Sequence, residues 1–306
     1  MSPSATRGAS PRFDATHARA AVDHLACGRP TIGELAGLPA VAHLLRHARH
    51  FDIDVPQESA YALARHLLEP AADQEERIAC AEESIAFFTG ALVDDLAWLG
   101  DVLRYLPRGF GFEGALYLTY GYDIGVALAP DASLNAAHPR FAHRPRELLY
   151  YAIHELHHVG FMTYRPPPRV ADLVTRGDIL RLVEYCTQLE GMAVHAARER
   201  RGEDGAVLAD EDYVALEDEP RMEQAERLYG EAVDVLARRR DEPADASALA
   251  VIEQMSSGER LWYRVGARMA DRIEQTAGRE ALVQLVERGP SEFLATARDK
   301  SASGGV

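Results

Sequence analysis

Lysine is almost missing from this 306-residue chain: Lys300, close to the C-terminus, is the one lysine in it. A Schiff-base or general-base lysine therefore has no other place to sit, and the cationic work of the protein falls to arginine. Cysteine is scarce as well. Cys27, Cys80 and Cys186 are far apart and odd in number. They make neither a CxxC pair nor a disulfide framework, so a reducing, cytoplasmic location is expected. No apolar run approaches the roughly 20 residues that would span a bilayer, so no membrane association is expected. The opening stretch "MSPSATRGASPRFD" has no apolar core, so no signal peptide is expected either. Basic residues number 33 against 48 acidic ones, for a net charge of -15. Nucleic-acid binding needs clustered positive charge, and a balance this acidic argues against such a partner.

The chain is otherwise ordinary for a soluble globular protein, 47% hydrophobic and 26% charged, and long enough for one large domain or two. Residues 1–14 and 298–306 are small and polar and are expected to be disordered tails. Residues 15–105 repeat apolar positions at three- and four-residue intervals, as in "TIGELAGLPAVAHLLRHARHF", and read as a helical N-terminal region. Then come three short β-prone runs, "ALYLTY" (115–120), "IGVAL" (124–128) and "SLNAA" (133–137), parted by turn signals. They read as a small antiparallel meander. Pro145 opens a further helix that runs to about Tyr164, where Pro166-Pro167-Pro168 stops it. Helices follow at about 178–200, 210–239, 246–276 and 279–298. The expected fold is mostly α with a small antiparallel β-meander, residues 106–297 forming the catalytic region.

The helix after the meander carries "AIHELHHVGF", residues 152–161. His154 and His158 are four apart, about 40° from each other on one helix face, so both imidazoles can reach one metal ion. Glu155 lies about 100° round from His154, poorly placed as a ligand but able to reach a metal-bound water. This is the HExxH division of labour: two ligands and a carboxylate base. The flanking residues are apolar on nearly every face, so the helix should be buried, and buried His and Glu need partners. His157 falls on the other side of His154 and reads as a supporting or substrate-facing residue.

A catalytic zinc needs a third protein ligand and an open position. In "GDILRLVEYCTQLEGMAVHAARERR", with Asp178 as the expected cap, Glu190 falls on the apolar stripe where a leucine would be usual. A carboxylate on a buried face is costly unless a cation meets it. Glu190 therefore ranks first, His195 second and Glu184 third; a buried Arg–Glu pair is the competing explanation for Glu190.

These residues resemble those of a gluzincin: HELHH on one helix and "LEGMAVHAA" supplying a glutamate from a later one. More narrowly, the chain resembles bacterial zinc-dependent peptidases of unknown function, in which an HExHH motif precedes an E-G-x-A segment and a helical tail. Here that tail is "RLWYRVGARMADRIEQTAGREALVQLVERGPSEFLATA", residues 260–297. The resemblance implies a zincin-like fold with the motif helix under a short sheet, and "SLNAA" as the sheet edge along which an extended substrate lies. It also implies an electrophilic helper from the tail, with Tyr263 first and Arg264 and Arg268 as rivals. The implied reaction is zinc-dependent hydrolysis of a peptide or small amide, with Glu155 as general base.

Two His and one carboxylate also describe a non-haem iron site, so iron and a small-molecule tailoring reaction stand as the alternative, and a non-catalytic helical binding protein as a third reading. A second histidine group, His43, His47 and His50 in "HLLRHARHF", lines one helix face with no acidic residue interleaved, and reads as a polar or substrate-facing patch. His138 and His143 flank the connection into the motif helix, and nothing in their spacing singles them out.

Overall fold

The computed structural model describes residues 10–303; the rest of the two expected tails, 1–9 and 304–306, lies outside them. The chain divides into two compact units, Met1–Gly100 with Arg108–Thr163, and Asp101–Pro107 with Tyr164–Val306. The sheet and most of the motif helix thus group with the N-terminal helices, and the division does not follow the expected boundary at residue 105.

The first unit starts with strand β1 (Arg12–Asp14), inside the stretch expected to be a disordered tail. Helices α1 (Thr16–Cys27), α2 (Ile32–Ala36), α3 (Pro39–Phe51), α4 (Ala60–Leu67), α5 (Gln74–Thr89) and α6 (Ala91–Asp94) follow, and α7 (Leu99–Leu103) begins in this unit and ends in the second. Strands β2 (Ala115–Thr119), β3 (Gly125–Leu128) and β4 (Asp131–Asn135) match the three β-prone runs, and α8 (Glu147–Tyr164) carries the HELHH motif.

The strands do not form the expected antiparallel meander. Their order is β1-β2-β4-β3, with β1 parallel to β2, β2 parallel to β4, and β3 antiparallel to β4. The short 128–131 turn joins β3 and β4 as a hairpin, while the connection from β2 to β3 skips the place between them that β4 then fills. Adjacent runs in sequence gave no sign of that crossover, nor of a fourth strand from residue 12. β4 is consequently interior, and β3 is the edge on that side. "SLNAA" is therefore not the sheet edge.

Helices α3 and α4 cover β3 through a core of Val41, Leu44, Leu63, Ala64, Leu67 and Val126. Three buried histidines of this unit lie outside the motif helix. His17 accepts a hydrogen bond from the Tyr120 N–H at 3.2 Å. His43 is 0% exposed and stacks near Tyr117, ring centroids 5.8 Å apart. His47 shares a 3.1 Å hydrogen bond with the Tyr122 hydroxyl. The stripe on α3 therefore turns two of its three histidines into the core, contrary to the polar-face reading. Their imidazoles lie on the apolar side of α3 because the stripe coincides with Val41, Leu44 and Ala48.

The second unit is helical: α9 (Arg176–Glu203), α10 (Glu211–Leu216), α11 (Glu219–Arg238), α12 (Ala246–Glu253), α13 (Leu261–Ala277), α14 (Arg279–Arg288) and α15 (Pro290–Ser303). The last of these continues through the start of the expected C-terminal tail. Helix α9 is capped by Thr175, with Asp178 as the reciprocal partner of a capping box rather than the cap itself. The expected helix 246–276 is broken by a π-turn at Gln254–Gly258, where Ser256, Ser257 and Gly258 offer little helix propensity.

Helices α9 and α13 cross at two glycines. A Cβ on Gly191 would lie 2.2 Å from the Gly266 carbonyl carbon, and one on Gly266 would lie 2.1 Å from the Thr187 oxygen. Backbone meets backbone there, and no side chain fits. Gly191→Ala should therefore destabilise the chain by about 3 kcal/mol or more, read as a lower urea midpoint. A loss within experimental error would show that this crossing yields easily.

Burial lowers the pKa of His17 to about 4, of His43 to about 4 and of His47 to about 3. The unfolded chain titrates near 6.5, so below that pH it binds more protons than the folded one. Stability is fully present above about pH 6.5 and lost as pH falls toward 4 and 3, by at most about 3 kcal/mol each for His17 and His43 and about 5 kcal/mol for His47. Urea unfolding from pH 7.5 to 4.5 should show a midpoint that falls throughout the acid half; a flat profile would contradict it.

Candidate metal centre

The motif helix α8 is buried nearly all round, as its apolar flanks require. One turn apart, the His154 and His158 rings lie with centroids 4.4 Å apart, edge to face. His158 is buried and His154 half-buried. His157 is completely buried, which rules out a substrate-facing role for it.

Glu155 is 5% exposed, and the backbone of the edge strand passes directly over it. A Cβ on Gly125 would come within 2.7 Å of the Glu155 Oε1. The sequence shows a glycine opening "GVAL" but not what that glycine makes room for. The loop before it is held firmly: Gly121 and Tyr122 both have positive φ, 80° and 73°. Asn135 Oδ1 accepts from the Gly121 N–H at 2.9 Å, and the Tyr122 hydroxyl is tied to His47. The buried histidine of α3 thus helps fix the strand that lies on the motif carboxylate.

Glu190 lies on α9 beside Gly191, half-buried, next to the glycine crossing. Among the described residues, one group of His, Cys, Asp and Glu side chains has the spacing to hold a metal ion: His154, His158 and Glu190, each offering one ligand atom, all within 4.8 Å of one another. The lower-ranked candidates are occupied elsewhere. His195 Nε2 pairs with Glu274 at 2.5 Å, and that carboxylate also takes the Tyr105 hydroxyl and Arg279. Glu184 has its pKa raised by burial, opposed by Arg298. The α3 histidines contribute to no such group among the described residues.

Tyr263, in the first turn of α13, is half-buried close to Glu190. Burial first, and then the negative charge of Glu190, push its phenol pKa well up, so it stays a protonated donor. Its two rivals are committed. Arg264 Nε donates to Asp212 Oδ1 at 2.9 Å, and Arg268 donates to Glu219 at 2.8 Å. The residue that sequence reasoning missed is Arg260, whose guanidinium lies 3.8 Å from the Tyr263 ring centroid. It stands at the first position of the quoted tail, but only its backbone conformation, invisible in the sequence, turns it over that ring.

Residues 98–296 match the model of the family described as "Putative zinc dependent peptidase (DUF5700)". The chain belongs to that family. No curated protein and no solved structure gives a significant match. The match begins before β2 and ends within α15, so the whole HELHH helix, Glu190 and Tyr263 fall inside it.

If the Gly125 backbone and the Glu155 carboxylate are in contact, the two positions should be energetically coupled. Gly125→Ala alone should cost about 1–3 kcal/mol. Made on top of Glu155→Ala, which removes the obstructing carboxylate, it should cost much less. A double-mutant cycle by urea denaturation measures this directly, and additive losses would mean no contact.

Proposed function

We propose that the chain is a zinc-dependent hydrolase of peptide or amide bonds, with His154, His158 and Glu190 holding the metal. The observation that carries the reading is the mutual closeness of these three ligand atoms, within 4.8 Å. Two imidazole nitrogens and one carboxylate oxygen are a common catalytic zinc set, which leaves a further position open. Membership in a family described by zinc dependence and peptidase activity supports the same donors.

Zinc in such a site supplies Lewis acidity, acidifying a water molecule and polarising the scissile carbonyl. Everything else is done by the chain. Glu155, one residue from the first ligand, takes the proton from the attacking water and returns it to the leaving amine. Burial under β3 keeps its carboxylate in one place. Tyr263, kept protonated by burial and by Glu190, donates a hydrogen bond to the oxygen that becomes negative as the carbonyl is attacked. Glu155 is what favours hydrolysis over iron-dependent oxidation: the same three ligands serve both, but a carboxylate base beside the first histidine is needed only by the former.

Elemental analysis of purified, tag-free protein should give about one zinc per chain, and His158→Ala should lose it. Glu155→Gln should keep the zinc and lose hydrolysis of peptide or amide substrates by at least about 100-fold. Iron in place of zinc would point to the oxidative alternative. Absence of any metal would end the metalloenzyme reading, and full activity in Glu155→Gln would remove its general base.

A further inference from the structure

Two backbone irregularities converge on one side chain next to the candidate centre. Between α12 and α13 the chain makes the π-turn at Gln254–Gly258, and then Arg260 takes the left-handed conformation, φ 51° and ψ 42°. Either feature costs energy, a left-handed arginine especially, and both recur where function requires an unusual placement. Together they carry the Arg260 guanidinium onto the face of Tyr263, 3.8 Å from its centroid. A guanidinium stacked on an aromatic face is held in plane, with its edge presented outward.

That edge is open. Arg260 Nε donates to Asp212 Oδ2 at 2.8 Å, and among the described residues Asp212 is its one hydrogen-bond partner. The side chain remains 38% exposed, so the Nη amino groups keep their donors for another molecule. A structural ion pair does not account for the arrangement. Arg264, 12% exposed, already binds the other oxygen of the same carboxylate from an ordinary helical position. One carboxylate thus faces two guanidiniums, which leaves a net positive charge. Glu190 would offset it in a metal-free protein, but as a zinc ligand Glu190 has its charge met by the metal.

Resting on the reading of His154, His158 and Glu190 as zinc ligands, we propose that Arg260 is a specificity residue that binds a substrate carboxylate through its Nη edge, beside Tyr263. The substrate is then a peptide or small amide with an acidic group near the bond that is cut. A planar carboxylate is the natural complement of the arginine fork. It can come from a free chain end or from an Asp or Glu side chain.

The test uses the full chain carrying Glu155→Gln, so that no peptide is turned over, with and without one equivalent of zinc. Three pools of randomised N-acetyl tetrapeptides are equilibrated with it by dialysis and read by mass spectrometry. One pool ends in a free acid, one in an amide, and one in an amide with a single internal Glu; the first two lack Asp and Glu elsewhere. Retention of an acidic pool over the neutral one should be about tenfold or more, as for a hydrogen bond to a charged group. The pool retained tells a chain-end carboxylate from a side-chain one.

Arg260→Gly should abolish that preference and still fold, because glycine relieves the left-handed backbone. Its zinc content should be unchanged. Arg264→Gln should lower stability and keep the preference. Equal retention of all pools by the parent protein, or a preference that survives Arg260→Gly, would overturn the proposal. A parent that binds no zinc but loses its preference in Arg260→Gly would uphold Arg260 as the carboxylate site and overturn the zinc reading alone.

Discussion

The second unit is organised around the contact between Gly191 and Gly266, where two long helices meet backbone to backbone. Glu190 is the residue before one glycine, and Tyr263 lies one turn before the other. A helix pair held at ordinary side-chain distance, about 8–10 Å between axes, would separate these groups by the thickness of two side chains. With no side chain at the crossing, a carboxylate and a phenol come close enough for the one to shift the titration of the other. Residue types without chemistry of their own therefore set the electrostatics of the residues that have it.

In the first unit the same economy appears in the sheet. Gly125 gives the edge strand room to lie on Glu155, and the turn before it adopts positive φ at Tyr122 as well as at Gly121. A tyrosine in that conformation is strained. Its hydroxyl bond to His47 and the Asn135 bonds to the same turn offset the strain and hold the strand over the carboxylate. The buried histidines of α3 are thus part of the scaffold rather than a second centre. A histidine kept neutral in a core is a polar atom that has to be placed, and placing it fixes its neighbours.

Much of this was legible in the sequence, for physical reasons. HELHH declares itself because a helix that is apolar on every face has no other use for charge, and Glu190 because it interrupts an apolar stripe. The helical regions, the three β-prone runs and the mostly helical fold class follow from periodicity. What stayed hidden depends on partners distant in sequence. Arg12–Asp14 become a strand only because Ala115–Tyr117 pair with them across a hundred residues. The order β1-β2-β4-β3 makes β3, not β4, the edge, and local pattern cannot reveal that. The histidine stripe was misjudged because imidazole is amphipathic: its spacing is the same whether the face meets water or a core. Arg260 was overlooked because side-chain identity does not announce a left-handed backbone.

The shortage of lysine bears on which group can serve as the electrophilic helper in the proposed reaction. With arginine as nearly the sole cation, the interhelical ion pairs of the second unit are built from it. Arg264 is bound to Asp212, Arg268 to Glu219 and Glu226, and Arg272 to Glu226, all from α13. These pairs fasten α13 to α10 and α11, and a guanidinium already shared among carboxylates has little left for a transient oxyanion. Tyr263 lies on the same helix, close to Glu190, and has no structural charge to balance. A phenol is also better matched to the task. It donates one directed hydrogen bond and, kept protonated beside Glu190, holds that proton through the cycle. The arginines that could have competed for the role are the ones that keep the tyrosine in position.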